Sequence, residues 1–148
     1  MTRQLLILER APVPVEIDPP DEIETVPAEA ALTYYERFHT EPNPWQRQLS
    51  SLRHSAPHLA GRVAKRGGEI LAYAVGFVGE RGITLTDAAA AQGEYGALRS
   101  ILIRLHQEQP EAVGRIVNLP EADPALPILS SLGYHETMRQ YEMLLRAV

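Results

Sequence analysis

The chain has 148 residues, a net charge of −5, 45% hydrophobic residues and no cysteine. This length predicts one compact domain, or one domain with an arm, and the composition is that of a globular protein. The lack of cysteine excludes disulfides, thiolate catalysis and cysteine-ligated metals, and the acidic balance argues against work on nucleic acid or anionic lipid.

No apolar stretch approaches the roughly 20 residues of a membrane-spanning helix. The apolar run from Leu5 to Leu8 is also shorter than the core of a secretory signal peptide. We therefore expect a cytoplasmic protein with neither a membrane nor a nucleic-acid partner. His54 and His58 have the spacing of helical metal ligands, but Pro57 lies between them, and we predict no metal site.

Residues 1–20 predict a strand on a proline-rich linker, ahead of a main domain over residues 21–148. Leu5 to Glu9 is rich in strand formers, and the prolines after it exclude a helix or a central strand. The linker is acidic around Asp18 and Asp21, which indicates a solvated tether or a patch for a cationic partner. The apolar strand can pair with its own sheet or with a second copy, which would make a homodimer.

Helices and a strand are predicted next. Residues 23–26 alternate between apolar and polar, as in a half-buried strand. Apolar and aromatic residues at helical spacing predict a helix over 28–39, with Tyr34, Tyr35 and Phe38 on it. After a break at 40–44, a second helix is predicted over 44–54, burying Trp45.

Three antiparallel strands follow, over 58–65, 69–78 and 83–86, joined by glycine-containing turns. A helix over 93–107 has apolar residues at steps of three and four, and His106 lies near its C-terminus, where the helix dipole favours a cation.

The remaining chain predicts a strand over 114–119, a helix over 123–132 and a long final strand over 134–146. This order predicts an α/β fold with a mixed, mostly antiparallel sheet flanked by helices. We expect the last strand–helix–strand segment to supply one parallel pair beside the three antiparallel strands.

The element order resembles the GNAT superfamily of N-acyltransferases over residues 23–148. Residues 68–76 resemble the central strand of that family. Residues 118–134 resemble its late strand, the helix that follows and the glycine–aromatic pair that enters the last strand. The strand at 3–10 and its linker resemble the junction before the C-terminal half of tandem members.

The resemblance implies binding of an acyl-CoA, and of acetyl-CoA first, where strands 83–87 and 115–119 splay apart. The pantetheine would pair with the backbone of the first strand, and the diphosphate would lie on the amide groups that open the next helix. The positions matching this cofactor site are Leu85, Thr86, Gln92, Gly93, Gly96 and Ala97.

Three positions depart from the family pattern. Tyr95 stands where the phosphate loop has a central glycine, and Glu94 adds an anion beside a site for anions. Leu129 stands where many members have a tyrosine that protonates the leaving thiolate. Residues 92–97 are therefore either a working phosphate loop or an ordinary helix start.

Asp87 is the candidate catalytic residue, as the base that accepts a proton from an amine, and the alternative is a turn acid before the helix. His39 and Glu41 lie on the break best placed to touch an acceptor. Two functions are carried forward. One is transfer of an acetyl group from acetyl-CoA to a small-molecule or protein amine by direct attack in a ternary complex. The other is an inactive GNAT-fold binding module, dimeric through the N-terminal strand.

Overall fold

The computed structural model describes residues 2–39 and 48–143. The strands are β1 (Thr2–Arg10), β2 (Glu22–Pro27), β3 (Ala60–Arg66), β4 (Glu69–Val78), β5 (Gly82–Ala90), β6 (Val113–Pro120) and β7 (His135–Met143). The helices are α1 (Ala28–Leu32), α2 (Tyr35–Phe38), α3 (Leu49–Ser55), α4 (Tyr95–Glu108) and α5 (Leu126–Ser131), with a 3-10 turn over Ala56–His58. None of the helices in these described segments is long and apolar enough to cross a membrane.

The described strands form one seven-stranded sheet in the order β2-β3-β4-β5-β6-β1-β7. Every neighbouring pair is antiparallel except β5 and β6. The predicted α/β fold with a mixed, mostly antiparallel sheet is confirmed. The position of its parallel pair is not, because β1 lies between β6 and β7 and is antiparallel to both. The parallel pair is β5–β6, joined through α4.

Two hydrophobic clusters cover opposite faces of the sheet. On the face that we call the α4 side, Leu98 and Leu102 of α4 pack on Leu85 of β5 and Ile116 of β6. On the α1 side, residues of α1 to α3 pack mainly on β3 and β4. Representative members of this second cluster are Leu32, Phe38, Leu52, Val63, Tyr73 and Val75. Each sheet face is thus identified by the helices that cover it.

The linker between β1 and β2 follows α4. The Gln107 side chain donates a hydrogen bond to the Ile17 carbonyl at 2.8 Å. Asp21 is buried and accepts a hydrogen bond from Ser100 Oγ at 2.8 Å. The interpretation of this segment as a solvated tether is therefore wrong at Asp21, because the buried carboxylate fastens the linker to the helix.

Several element ends differ from the sequence prediction. The helix expected over 28–39 divides at Thr33, whose hydroxyl donates to the Ala30 carbonyl at 2.7 Å. The expected break at 40–44 and Trp45 lie outside the described residues, as do residues 144–146 of the last strand. The helix expected from Asp123 begins at Leu126, because the Asp123 carboxylate instead caps a turn at the Ala125 N–H, 2.9 Å away.

Candidate functional site

A gap opens between the two parallel strands in the middle of the sheet. β5 and β6 are paired only from Gly82 with Val113 to Leu85 with Ile116. Beyond that point β5 continues to Ala90 along β4 alone. The predicted strands 83–87 and 115–119 are therefore neighbours, and they separate after their first residues. The backbone of β5 beyond Leu85 borders this gap.

A β-bulge in β5 lies where the gap begins. On β4, Val75 is opposite Asp87 and Gly76 is opposite Leu85, so that Thr86 is the extra residue of β5. Its hydroxyl donates to the Val75 carbonyl at 3.1 Å. Since a bulge bends its strand and increases the local twist, it turns β5 away from β6 at this level.

A second bulge lies in β6 at the same level. Leu6 of β1 is opposite Leu119 and Leu8 is opposite Ile116, so that Ile7 is opposite two residues of β6. One of these two is Asn118, which has a φ of 55°, in the left-handed region. The two bulges bend the strands on both sides of the gap and thereby explain its shape.

Asp87 is fully buried on the α1 side, where it lies between a tyrosine and a histidine. The Tyr73 hydroxyl donates to its Oδ2 at 2.5 Å. His39 Nε2 lies 2.9 Å from Oδ2 and 3.1 Å from Oδ1. These two partners satisfy a carboxylate whose burial would otherwise be costly. The carboxylate has no exposure of its own, whereas the His39 side chain beside it is 10% exposed.

Aromatic contacts hold His39 at the end of α2. Its ring lies 4.4 Å from the Tyr35 ring, centroid to centroid. The preceding residue, Phe38, is buried and stacks at 6.2 Å on the Tyr73 ring. Tyr35 and Phe38 thus pack beside the sheet and also orient the histidine.

The buried trio has the geometry of an oriented base. A carboxylate that accepts from Nε2–H sets the tautomer of the ring, makes Nδ1 its basic atom and stabilises the imidazolium that forms when Nδ1 takes a proton. Asp87 was the residue predicted to do acid–base chemistry, whereas sequence analysis assigned His39 only to an acceptor contact. The two are 48 positions apart, and no local pattern connects them.

The predicted phosphate loop lies at the carboxyl end of β5, where α4 begins. Gln92 and Gly93 are exposed in the turn, Gly93 has a φ of 78°, and Gly96 is exposed in the first turn of the helix. Ala97 is buried in the core, and its N–H bonds to the Glu94 carbonyl at 2.9 Å. The helix N-terminus therefore lies at the end of the gap, with one of its four terminal donors already used.

Leu85 and Thr86, the remaining predicted cofactor residues, lie at the start of the gap. The Leu85 side chain is in the core on the α4 side, so that only its backbone can serve a ligand. The predicted cofactor residues thus lie at the two ends of the gap, at Leu85 and Thr86 and at the start of α4. Asp87 lies with Tyr73 and His39 on the α1 side of the sheet.

Tyr95 is the first residue of α4, at the far end of the gap. Its ring is half-buried against the core on the α4 side. Burial, followed by the charge of Asp123, raises the pKa of Tyr95 to about 12. A partly buried aromatic ring thus stands in the place where the resembled family has a glycine.

The charge of Glu94 is balanced by a cation. Arg66 Nη1 lies 3.0 Å from its Oε2, and Arg66 Nε donates to Asp21 at 2.9 Å. The anion that the sequence placed beside the phosphate loop is thus held in an ion pair. Leu129, the third departure, is buried in the core and presents no polar atom to the gap.

No protein-family profile and no curated protein sequence matches the chain. Solved structures match it at low identity. A GCN5-related N-acetyltransferase from Anabaena variabilis superposes with a TM-score of 0.66 at 9% identity, over 94% of this chain and 39% of its own. A GNAT-family acetyltransferase from Colwellia psychrerythraea superposes with a TM-score of 0.63 at 11% identity, over 95% of this chain and 55% of its own. The aminoglycoside N-acetyltransferase AAC(6')-Iy, solved with CoA, superposes with a TM-score of 0.55 at 14% identity, over 85% of this chain and 100% of its own.

These likenesses show that the chain has a divergent GNAT fold, as the sequence resemblance predicted. At such identities they show the fold alone. The chain spans 60% of a matched Staphylococcus epidermidis protein of unknown function and 50% of a matched Drosophila protein. Many of the matched proteins are thus considerably longer than this chain.

Proposed function

We propose that the chain is an acyl-CoA-dependent N-acyltransferase that transfers an acetyl group to a primary amine of a small molecule or a protein. The observation that carries the proposal is the gap between β5 and β6, with a helix N-terminus at its end and the Tyr73–Asp87–His39 trio on the opposite face. Donor and acceptor can then meet in the gap from opposite sides of the sheet.

The donor would lie along the β5 backbone beyond Leu85. Its pantetheine amides would pair with this edge, as an added strand would, and its diphosphate would lie near the first turn of α4. The positive end of the helix dipole and the N–H groups of that turn favour a dianion there. Pairing of Glu94 with Arg66 removes part of the local repulsion.

The acceptor amine would approach from the α1 side. His39 Nδ1 takes the proton of the ammonium or of the attacking amine, and Asp87 holds the ring and stabilises its charged form. The amine nitrogen forms a bond to the thioester carbonyl carbon, and the carbon–sulfur bond breaks. The electron pair leaves on sulfur as the CoA thiolate. Positioning of the two substrates supplies much of the rate.

A binding module without catalysis is the second candidate. It is favoured by Tyr95, whose ring packs at the start of α4 where the resembled family has a glycine, and by Leu129, which offers no proton to a leaving thiolate. On this alternative the gap is closed to CoA, and the GNAT fold serves recognition alone.

Thermal unfolding with and without acetyl-CoA and CoA separates the candidates. A ligand present at about 100 times its Kd adds about 2.7 kcal/mol to the free energy of unfolding. For a domain of this size that corresponds to a rise in Tm of roughly 5–10 °C. A rise of this size is the expected result, and no rise at millimolar acetyl-CoA would contradict the acyltransferase proposal.

Variants then separate donor binding from proton transfer. With acetyl-CoA and a panel of primary amines, His39→Gln should lower kcat by roughly 10²–10⁴-fold and leave acetyl-CoA affinity unchanged. Tyr95→Gly should tighten CoA binding several-fold in a calorimetric titration. His54→Gln, on an exposed histidine of α3, is the control and should match the wild type. Equal kcat for His39→Gln and the control would remove His39 from the mechanism.

A further inference from the structure

The α1 side of the sheet is covered toward the carboxyl end of β5 and open toward its amino end. Val75, which is opposite Asp87, is 1% exposed, and α1 to α3 pack over the sheet from this level toward Tyr73. Phe77, two positions farther along the same face of β4, is 50% exposed. The described part of this face beside His39 is thus accessible to a ligand only from the Phe77 end.

The strand register identifies the side chains on this open part. Thr84 of β5 is opposite Phe77 on one side and opposite Arg115 of β6 on the other. Arg115 is in turn opposite Glu9 of β1. We call these four residues the acceptor shelf.

The acceptor shelf is on the same sheet face as the Asp87 carboxylate. The sequence neighbours of its members in β5, β6 and β1 pack in the core on the α4 side, and they are Leu85, Ile116 and Leu8. Because side chains alternate along a strand, Thr84, Arg115 and Glu9 point to the α1 side. A ligand at His39 therefore extends over the shelf without crossing the sheet.

The acceptor shelf carries a cation beside an anion, and both are exposed to water. Arg115 Nε lies 3.5 Å from Glu9 Oε1, and the two side chains are 48% and 41% exposed. An exposed pair of this kind contributes little to stability, and both groups keep hydrogen-bonding capacity for a ligand. The pair matches an α-amino acid group, whose carboxylate accepts from a guanidinium and whose ammonium donates to a carboxylate.

The distance between this pair and the Asp87 site fits one class of amine. Along the strands, Thr84 is about 7 Å from the level of Asp87, because two residues of β4 separate their partners. Across the strands, the middle of the Arg115–Glu9 pair is about 7 Å from β5, which makes a diagonal of about 10 Å. A side chain of three or four methylenes places its terminal nitrogen about 5–6 Å from Cα, and a hydrogen bond of about 3 Å at each end covers the rest.

We propose that the acetyl acceptor is a free diamino acid of the lysine or ornithine type. Its α-carboxylate binds Arg115, its α-ammonium binds Glu9, and its terminal amine lies at His39 Nδ1. This assignment rests on the proposed acyltransferase function and narrows its acceptor from any primary amine to one that carries an α-amino acid group.

The transfer is balanced with the groups already described. The terminal ammonium gives one proton to His39 Nδ1, and its nitrogen forms a bond to the acetyl carbonyl carbon as the carbon–sulfur bond breaks. The second proton lost by the nitrogen passes to the leaving CoA thiolate. The product is the diamino acid acetylated on its terminal nitrogen, with its α-ammonium unchanged on Glu9.

Acetylation assays with three matched amines test the proposal. Lysine has both α-groups, 6-aminohexanoate lacks the α-ammonium, and cadaverine lacks the α-carboxylate. With the wild-type chain and acetyl-CoA, kcat/KM for lysine should exceed that for cadaverine by about 10- to 100-fold, because each charged hydrogen bond is lost with its group. The value for 6-aminohexanoate should fall between the two.

Variants of the pair connect this preference to the shelf. Arg115→Gln should bring the lysine-to-cadaverine ratio of kcat/KM close to 1, and Glu9→Gln should do the same for the ratio of lysine to 6-aminohexanoate. A general loss of stability would lower kcat/KM for all three amines and leave these ratios as they are. Lys65→Gln, which removes the cation of the exposed Lys65–Glu24 pair, is the control and should keep the wild-type ratios.

The outcomes separate this proposal from the proposed function. Equal kcat/KM for the three amines, or a lysine preference that Arg115→Gln leaves unchanged, would overturn the diamino acid and keep the acyltransferase. A chain whose Tm rises with acetyl-CoA but which leaves lysine unacetylated would overturn it as well. No acetylation of any amine together with no response of the Tm to acetyl-CoA would overturn the proposed function itself, and this proposal with it.

Discussion

At the residue scale, Arg10, His106 and Tyr134 form a buried polar cluster at the end of β1. Arg10 Nε donates to the Leu132 carbonyl at 2.6 Å, and its Nη2 donates to the Val13 carbonyl at 2.8 Å. His106 Nε2 lies 2.8 Å from the Tyr134 hydroxyl. From the sequence we expected the C-terminal end of the helix dipole to favour a cation at His106. Burial, followed by the charge of Arg10, instead lowers the pKa of His106 to about 4.

This cluster predicts acid sensitivity. Between pH 6.5, the ordinary pKa of histidine, and about 4, the unfolded chain binds a proton at His106 that the folded chain does not. The contribution of His106 to the free energy of unfolding should therefore be constant above about pH 7 and fall by roughly 3 kcal/mol as the pH drops to 4. Urea unfolding from pH 8 to 4 measures it. In the His106→Gln variant, the free energy of unfolding should no longer show this decrease between pH 6.5 and 4. An unchanged pH dependence would assign the acid sensitivity to other groups.

At the element scale, the shape of the gap comes from a strand irregularity that needs one particular glycine. A Cβ on Gly76 would lie 2.2 Å from the Thr84 carbonyl oxygen and 2.9 Å from Leu85 Cα, both backbone atoms of β5. Backbone cannot yield as a side chain can. Gly76 therefore permits the close approach of β4 to β5 directly before the Thr86 bulge.

Gly76→Ala should lower the free energy of unfolding by about 1–3 kcal/mol, because the new methyl group on β4 would clash with the backbone of β5. Gly79→Ala is the matched control, since the nearest atom to its Cβ is 3.7 Å away, an ordinary contact. Denaturant unfolding of both variants measures the difference. Equal stability of the two would mean that the strands are farther apart than in this structure.

At the scale of the whole molecule, the N-terminal strand completes the sheet from the far end of the chain. β1 lies five strand spacings, about 24 Å, from β2, its neighbour in sequence. Residues 11–21 cover this distance along α4, held by Gln107 and Ser100. The four residues Leu5 to Leu8 are buried between β6 and β7. The boundary predicted between residues 1–20 and the main domain is thus a change in amino-acid composition, because strands from both parts belong to one sheet.

Deletion of residues 2–20 should abolish cooperative thermal unfolding, because β6 and β7 each lose the strand to which they pair. A synthetic peptide of residues 1–20, added in trans, should restore a cooperative transition. Differential scanning calorimetry of the truncated chain, with and without peptide, makes the measurement. A truncated chain with the Tm of the wild type would show that β1 is dispensable to the sheet.

The sequence by itself determined the fold class, most strands and the resemblance that the structural matches bear out. It did so because alternation, helical spacing and turn glycines are local signals, as at residues 69–78, where predicted and observed strand coincide. It also singled out Asp87 and the turn at Gly93. It could not place α5 or divide α1 from α2, because side-chain hydrogen bonds at Asp123 and Thr33 decide those ends.

Only the tertiary structure decided which distant residues meet. The insertion of β1 between β6 and β7, the pairing of His39 with Asp87 and the burial of Asp21 against Ser100 all join segments far apart in the chain. Such contacts depend on long-range strand pairing and on the burial of polar groups that need partners, and neither has a local pattern in the sequence.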